Sequence, residues 1–283
     1  MPDEMRHILI SGASGGLGGA LAERLAQPDV SLSLWGRDTG RLAQIDSRCQ
    51  TKGASVSVVR QDLRDPDAVC QRLQDLDAER PVDVAIFNAG VSSGLSPDGG
   101  FESAAAACRT LMVNTVGAVG MAALLLERMA RRDNGHLVFI SSLAALYPLP
   151  GSPAYSASKA ALSVYARAVR SGRAGKKPRI SIVYPGYVDT PMSQRIIGPQ
   201  PLRWSADKAA SYIVARLEAG ADIIAFPFFL FLGIRLLSLL PSPAADMCLR
   251  FFSFSVEPDK DSLLSLRQQR QEQDDPDQHG DGA

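Results

Sequence analysis

The sequence contains few of the residues on which disulfide scaffolds, metal centres and nucleic-acid-binding proteins depend. Four cysteines and three histidines occur among 283 residues. The cysteines Cys49, Cys70, Cys108 and Cys248 are scattered without a C-x-x-C spacing, which predicts isolated reduced thiols and no metal site. Lysine plus arginine and aspartate plus glutamate each number 30, so no basic surface is expected to attract nucleic acid.

The N-terminal residues lack the apolar segment of a secretory signal. The opening MPDEMRHILISG enters a strand pattern almost at once, and we therefore expect a cytoplasmic protein. Hydrophobic residues make up 46% and charged residues 21% of the chain, as in soluble globular proteins. The length suits one large α/β domain, which we place at 1–256, followed by a polar tail at 257–283 that we predict to be disordered.

Short apolar runs alternate with longer helical patterns along most of the chain. The predicted strands are 7–11, 31–35, 55–59, 82–87, 136–140 and 180–184, with a further candidate at 223–227. The predicted helices are 17–26, 39–50, 66–78, 102–131, 155–171 and a later one that begins after Ser205 as N-cap and ends near Gly220. This alternation predicts a doubly wound parallel sheet of about seven strands, a three-layer α/β/α Rossmann fold.

The segment 228–254 is unusually apolar. FFLFLGIRLLSLLP at 228–241 predicts a helix that is buried, packs against another subunit, or lies on a membrane surface. A transmembrane span is the weakest of these interpretations, because Pro227 and Arg235 interrupt a run that is already short. The aromatic residues in 246–254 favour peripheral surface association.

A glycine-rich turn directly follows the first predicted strand. Gly12, Gly16 and Gly18 form G-x-x-x-G-x-G, and Gly15 allows the alternative spacing G-x-x-G-x-x-G. Glycine permits close approach of a ligand to the backbone, and the following helix presents its N–H groups to a pyrophosphate. In this position between strand and helix the turn predicts a dinucleotide site.

Residues at the end of the second predicted strand indicate whether the cofactor is NAD or NADP. Arg37 stands where a Rossmann protein accommodates the 2′-phosphate of NADP, so it favours NADP over NAD. Asp38 weakens that preference, because it can cap the next helix or pair with Arg37. Asp62, after the third strand, is a candidate for the adenine amino group or for a helix cap.

Tyr155 and Lys159 share one face of a predicted helix, since they are four residues apart. A lysine in that position is expected to lower the pKa of the phenol and to suit it for general acid/base work. Ser142 lies thirteen residues before the tyrosine and can hold a carbonyl oxygen beside it. Its neighbour Ser141 is the other candidate.

These motifs together resemble the short-chain dehydrogenase/reductase family over residues 5–227. The resemblance rests on SGASGGLG at 11–18, FNAG at 87–90, Asn114, the serine, tyrosine and lysine above, and PGYVDT at 185–190. Phe87 departs from the family's asparagine. The resemblance implies catalytic residues Ser142, Tyr155, Lys159 and Asn114, with no metal. It implies a cofactor site formed by Gly12, Ser14, Gly16, Leu17, Gly18, Arg37, Asp62, Leu63, Asn88, Ala89, Gly90, Tyr155, Lys159, Pro185, Gly186, Val188 and Thr190.

The implied reaction is reversible hydride transfer between NADP(H), or NAD(H), and a carbonyl or secondary alcohol. By the resemblance, Tyr155 exchanges the proton, Ser142 holds the oxygen, Lys159 stabilises the phenolate and binds the ribose, and Asn114 holds a water for proton return. A homodimer or homotetramer built on 102–131 and 155–171 is also implied.

Two other interpretations stay open: a sugar-nucleotide epimerase or dehydratase, and a non-catalytic NADP-binding sensor or scaffold. The loops 91–100, 143–153 and 190–203 carry few charges. They favour a neutral or apolar small-molecule substrate.

Overall fold

The computed structural model of the chain describes residues 6–95, 101–148, 151–241, 243–245, 247 and 255–257. The strands are β1 Arg6–Ser11, β2 Val30–Gly36, β3 Ser55–Arg60, β4 Val84–Phe87, β5 His136–Ile140, β6 Arg179–Pro185, β7 Val188–Asp189, β8 Ile196–Ile197, β9 Trp204–Ser205, β10 Ile223–Phe226 and β11 Ser255–Val256. The helices are α1 Gly16–Leu25, α2 Thr39–Gln50, α3 Pro66–Glu79, α4 Ala104–Leu111, α5 Gly117–Arg131, α6 Pro153–Gly172, α7 Ala206–Glu218 and α8 Phe228–Leu237.

One seven-stranded sheet organises the molecule, in the order β10-β6-β5-β4-β1-β2-β3. Every pairing in it is parallel. The chain reverses its direction of winding between β1 and β4, so their carboxyl ends border a crevice of the kind in which α/β proteins bind ligands. The prediction of a doubly wound fold with about seven strands is confirmed.

Two apolar clusters fill the space on the two faces of the sheet. Alternate residues of a strand point to opposite faces, and β1 shows this directly: Ile8 and Ile10 join one cluster, and Leu9 joins the other. The first cluster includes residues of α1, α2 and α7, and the second includes residues of α3, α5 and α6. This arrangement is the three-layer α/β/α architecture.

Several predicted boundaries differ from the observed ones. The predicted helix 102–131 begins at Ala104, with Ser103 as N-cap, and contains a π-helical turn at Met112–Val116 between α4 and α5. The predicted strand 82–87 shortens to Val84–Phe87, and the carboxylate of the preceding Asp83 accepts from the backbone N–H of His7. The candidate strand at 223–227 is present as β10 at the edge of the sheet, ending at Phe226.

The apolar segment forms α8, a short helix on the surface of the domain. Leu230, Phe231 and Ile234 pack against the second core cluster, while Phe229 and Leu236 on the other side are 77% and 57% exposed. The interpretation as a buried helix is wrong, because no residue of α8 is fully buried. At ten residues it is also far shorter than the roughly 20 residues that cross a bilayer.

Within the described part of the chain, only 104–131 forms a helix long and apolar enough to cross a membrane. That stretch packs against α3 and α6, as a core helix of this fold does. The predicted tail at 257–283 lies outside the described residues except for Glu257, and so does most of 246–254. The division into domain and tail stays a prediction.

Cys49, Cys70 and Cys108 are free thiols, and Cys248 lies outside the described residues. Burial raises the pKa of the Cys49 thiol to about 11, which keeps it protonated and unreactive. No cluster of three or more potential metal ligands occurs among the residues that the structure covers.

Candidate active site

A cleft of about 370 Å³ opens at the carboxyl ends of the parallel strands. Its walls include every predicted site residue except Asn114, which lies behind the wall and is fully buried. The structure therefore brings the predicted catalytic and cofactor-binding residues together at one edge of the sheet.

The glycine turn leaves no room for side chains at its key positions. Gly12 has φ +68°, and a Cβ there would lie 2.6 Å from Cα of Ala89. A Cβ on Gly18 would lie 2.3 Å from the carbonyl oxygen of Gly12 and 2.5 Å from Nδ2 of Asn88. Both contacts are far inside van der Waals distance, so the turn after β1 and the turn after β4 fit against each other only with glycine here.

The same geometry distinguishes the two possible glycine spacings. A Cβ on Gly16 would lie 2.8 Å from Cγ2 of Thr190, whereas one on Gly15 would meet only the carbonyl oxygen of Gly12 at 3.2 Å. Gly15 is the N-cap of α1, in an extended conformation open to any residue. The constrained set is therefore Gly12, Gly16 and Gly18, and the structure matches the G-x-x-x-G-x-G pattern.

Asn88 holds the turn after β4 in place. Its Nδ2 donates to the carbonyl oxygens of Ser11 and Gly12 at 3.2 and 3.1 Å. The side chain thus spans the crevice between β1 and β4, and it does so although Phe87 occupies the position where the family has another asparagine. Ser14 packs over Gly36, where a Cβ would lie 2.8 Å from the serine Oγ.

Two arginines line the end of the cleft beside β2. Arg37 follows β2 directly, and Arg41 stands one turn into α2; both are exposed. Asp38 caps α2 by accepting from the backbone N–H of Arg41 at 3.0 Å, and its carboxylate forms an ion pair with Nε of Arg41 at 3.3 Å. This end of the cleft therefore carries two guanidinium groups, one of which is paired with Asp38.

Asp62 also lines this end, but its carboxylate is engaged. Nε of Arg64 donates to it at 2.9 Å, and the backbone N–H of Arg64 donates at 3.0 Å. Burial raises the pKa of Asp62, but the hydrogen bonds and charge of Arg64 outweigh it, and the net shift is downward. Of the two interpretations, a helix cap is wrong, since Asp65 caps α3.

Ser142 and Tyr155 meet at the floor of the cleft. Ser142 ends the β5 strand region and caps a short 3₁₀ helix by accepting from the N–H of Ala144 at 3.1 Å. Its hydroxyl shares a hydrogen bond with the phenol of Tyr155. Ser141 points elsewhere and donates to the carbonyl oxygen of Lys159 at 3.0 Å. The serine beside the tyrosine is thus Ser142, as the spacing indicated.

The expected effect of Lys159 on Tyr155 is not what the structure shows. The pKa of Tyr155 is raised, because burial of the phenol outweighs the opposing hydrogen bond from Ser142. Nζ of Lys159 lies 6.0 Å from the centre of the tyrosine ring and donates to the carbonyl oxygen of Ile140 at 2.8 Å. The lysine is 3% exposed, and burial lowers its own pKa to about 8. Desolvation is therefore the main cause of the pKa shift of both groups.

Asn114 connects the turn after β4 to the helix that carries Tyr155. Its Oδ1 accepts from the N–H of Val91 at 2.7 Å, and its Nδ2 donates to the carbonyl oxygen of Val91 and to Oγ of Ser158, both at 2.9 Å. Ser158 in turn donates to the carbonyl oxygen of Tyr155 at 2.7 Å. The π-helical turn places Asn114 in this position.

The predicted cofactor-binding residues of segment 185–190 lie at the end of β6 and in the turn after it. Pro185, Gly186, Val188 and Thr190 all line the cleft. The N–H of Gly186 donates to the carbonyl oxygen of Phe226 at 2.7 Å, and a Cβ on Gly186 would lie 3.0 Å from Cδ2 of Leu230. Helix α8 therefore covers this turn directly.

Sequence reasoning missed several cleft residues. Arg41 was detectable in principle, since it follows Arg37 by one helical turn in GRDTGR. Leu230, Ile234 and Val256 carried no local signal, because they reach the cleft only when α8 and β11 fold back over the domain.

The comparisons with known proteins agree with this geometry. Residues 6–200 match the family model for short chain dehydrogenases. The chain belongs to the short-chain dehydrogenase/reductase family. An uncharacterized oxidoreductase from Myxococcus xanthus is 32% identical over 247 residues, covering 87% of this chain and 96% of the relative. This member of the family is thus an oxidoreductase, and its relatedness to that protein extends beyond the family model toward the C-terminus.

Solved structures of the family share the fold of this dehydrogenase. A short-chain dehydrogenase from Sphingobium yanoikuyae in complex with NADPH is 21% identical, with a TM-score of 0.71 and 98% of each chain covered. One from Burkholderia phymatum in complex with NAD is 24% identical, with a TM-score of 0.72, covering 83% of this chain and 94% of its own. At this identity the likeness concerns the fold.

Proposed function

We propose that this protein catalyses reversible hydride transfer between NADP(H) and a carbonyl compound or secondary alcohol, with Tyr155 as the general acid/base. The observation that carries the proposal is the hydrogen-bonded pair of Ser142 and Tyr155 at the floor of a cleft whose other end is the glycine turn. A binding protein needs only the glycine turn, whereas the serine–tyrosine pair adds a proton donor beside a second hydroxyl.

The residues present fit a dinucleotide. Gly12, Gly16 and Gly18 keep the backbone bare where a pyrophosphate would approach α1. The nicotinamide cofactor, when bound, supplies or accepts the hydride. The turn at 185–190 adds backbone groups to the same cleft, with Thr190 beside Gly16 of the glycine turn.

Tyr155 is suited to donate a proton in the reducing direction. Its raised pKa keeps the phenol protonated at neutral pH, and Ser142 is positioned to hold the same substrate oxygen. Lys159 keeps positive charge close to the phenol for the moment when it loses its proton. In the oxidising direction the phenolate form of Tyr155 accepts the alcohol proton, and Ser142 holds the same oxygen.

The proton that Tyr155 gives to the substrate must be replaced from solvent, and a route for it passes Asn114. A Cβ on Gly90 would lie 3.2 Å from Nζ of Lys159 and 3.5 Å from Oδ1 of Asn114. The absence of that side chain leaves polar atoms of both residues around one small space, and we propose that a water there links Lys159 to solvent.

The test compares two tyrosines of one helix. Tyr155→Phe is expected to lower kcat for NADPH-dependent ketone reduction by about 10²–10⁴-fold, the usual contribution of a general acid. Tyr165→Phe is the control: Tyr165 lies on α6, has a pKa also raised by burial, and packs against Phe139 away from the cleft. Equal rates for Tyr155→Phe and wild type would refute the assignment.

We further propose that NADP(H) is preferred over NAD(H). The support is Arg37 directly after β2 and Arg41 beside it, with Asp38 paired to Arg41 and Asp62 paired to Arg64. Arg37→Ala is expected to weaken NADPH binding by about tenfold or more, with little change for NADH, since a charge-assisted phosphate contact is lost. Arg60→Ala, an exposed arginine outside the cleft, is the control. Tighter binding of NADH than NADPH to wild type would contradict the preference.

We propose a cytoplasmic enzyme that associates peripherally with membranes through α8. Phe228, Phe229, Leu232 and Leu236 are exposed, with Arg235 among them, a composition suited to an anionic lipid surface. Sedimentation with phosphatidylglycerol vesicles should fall in Phe229→Ser and stay unchanged in Val58→Ser, an exposed residue of β3. No binding by wild type would exclude it.

We also propose a homodimer or homotetramer. The support is exposed apolar side chains on the long helices, Val116 before α5 and Val164 on α6. Sedimentation velocity should give at least twice the monomer mass for wild type and less for Val164→Asp.

A further inference from the structure

The cleft is closed at its substrate end by a strand from the C-terminal part of the chain. β11 pairs antiparallel with β8, with Val256 opposite Ile196. Val256 is 5% exposed, and its side chain and that of Ile196 both line the cleft. The two residues come from segments 60 positions apart, and their pairing makes one continuous wall.

Arg195 ties this strand to the two loops beside it. Its Nη1 donates to the carbonyl oxygen of Glu257 at 2.9 Å, and its carbonyl oxygen accepts from the N–H of Glu257 at 2.8 Å. Its Nη2 donates to the carbonyl oxygen of Ser92 at 2.7 Å. Ser92 also shares a hydrogen bond of 2.8 Å with Ser152, the N-cap of the helix that carries Tyr155. The strand is thereby connected to the catalytic helix.

The loop after β4 is shaped to receive the strand. The N–H of Leu95 donates to the carbonyl oxygen of Val256 at 3.2 Å. Gly94 has φ +73°, and a Cβ there would lie 2.3 Å from that same carbonyl oxygen. Glycine is therefore required at position 94 for two reasons: its backbone has a positive φ, and β11 passes too close for a side chain.

The wall around this end of the cleft is apolar. Leu230 and Ile234 of α8 face the same space as Ile196, Met192 and Val256. The charged side chains that line the cleft are Arg37, Arg41, Asp62 and Lys159 among the residues described. Three of these belong to the glycine-turn end and the fourth to the catalytic group, so the described residues of this end offer apolar contacts and no charged side chain to a ligand.

We propose that β11, fixed by Arg195, is the outer wall of the substrate pocket and that Val256 determines specificity for an uncharged ketone with an apolar substituent. The inference rests on the proposed function for the reaction, but the pocket itself is defined by the geometry of the wall. Arg195 and Gly94 are positioning residues, since they act through the placement of Val256.

The experiment measures two quantities, using benzylacetone as the bulky apolar ketone and butanone as the small one. The first is the ratio of kcat/KM for the two ketones. The second is calorimetric binding of benzylacetone to enzyme saturated with NADP⁺, which needs no turnover. Val256→Ala removes the wall side chain, with Val58→Ala as control, because Val58 is exposed on β3 and does not line the cleft. Gly94→Ala displaces β11, with Gly175→Ala as control, because Gly175 has φ +74° and nothing within 4 Å of its Cβ position.

Val256→Ala and Gly94→Ala are each expected to lower the benzylacetone/butanone ratio and benzylacetone affinity about tenfold, as loss of an apolar pocket contact does. The controls should match wild type, and NADPH affinity should stay unchanged in all four. If no ketone is turned over but Val256→Ala still weakens benzylacetone binding, the reaction is wrong and the pocket stands. If Val256→Ala changes neither the ratio nor the binding, the pocket assignment is overturned, whether or not Gly94→Ala folds.

Discussion

The two ends of the cleft are built in different ways. The glycine-turn end consists mainly of backbone, from short loops directly after β1 and β4 that meet because those strands are neighbours. The substrate end consists mainly of apolar side chains from separate segments, with Ile196, Leu230 and Val256 as representatives. A backbone site demands glycine at fixed spacing, whereas a side-chain wall accepts any apolar residue of suitable volume.

This difference predicts different responses to substitution. The glycine-turn end should fail abruptly when a single methyl group is added, because backbone atoms cannot move aside. The substrate end should change gradually and selectively, since apolar pockets discriminate by small increments of contact.

The largest effect is expected at Gly18. Gly18→Ala places a methyl group 2.3 Å from the carbonyl oxygen of Gly12, so we expect NADPH affinity to fall by at least about 100-fold, because a misplaced turn loses its aligned donors. Titration followed by NADPH fluorescence measures this. Gly233→Ala on α8, where nothing lies within 4 Å, should bind normally. Normal binding by Gly18→Ala would show that the turn tolerates change.

The next largest effect is expected at Asn114, which connects the turn after β4 to the helix that carries Tyr155. Asn114→Ala removes three buried hydrogen bonds to Val91 and Ser158, and unpaired buried groups cost about 1–3 kcal/mol each. We expect the free energy of unfolding in urea to drop by about 2–4 kcal/mol, with a lower kcat. Asn134→Ala, at an exposed contact with Asp83, should change little. Equal stability of the two variants would mean that the loop needs no such anchor.

A smaller and more selective effect is expected from α8. Leu230→Ala should lower kcat/KM for a bulky apolar ketone by about tenfold and leave NADPH affinity unchanged, since the side chain lines the cleft beside Gly186. Leu236→Ala, the same change on the exposed side of α8, should behave as wild type. If the two leucines gave the same result, the helix would not contribute to specificity.

The last effect is confined to acid pH and lies away from both ends of the cleft, at the amino-terminal ends of the strands. Burial lowers the pKa of His136 to about 3, against 6.5 in the unfolded chain. The unfolded state therefore binds more protons between these values, and stability is lost as pH falls below about 6.5. His136→Gln should reduce that loss by about 2 kcal/mol at about pH 4.5, measured by urea unfolding. The substrate and cofactor affinities should not respond. An unchanged acid sensitivity would place the responsible group elsewhere.

The sequence predicted the sheet well, because buried parallel strands leave a strong pattern of apolar runs separated by amphipathic helices. It predicted the spacing of Ser142 and Tyr155 for a similar reason: a strand end and a helix start fix the distance between them. It was wrong about the pKa of Tyr155, since helical spacing indicates proximity to Lys159 and says nothing about desolvation. It left the role of α8 open, because hydropathy does not distinguish the face that packs from the face that is exposed.

By itself the sequence determined the fold, the glycine turn and which residues we propose as the catalytic group. These depend on local periodicity, on glycine where a side chain cannot fit, and on residues one helical turn apart. Only the tertiary structure decided that Gly16 rather than Gly15 is constrained, that burial governs the pKa of Tyr155 and of Lys159, and that Val256 reaches the cleft. Each of these depends on atoms from distant parts of the chain, and such contacts leave no periodic trace in the order of the amino acids.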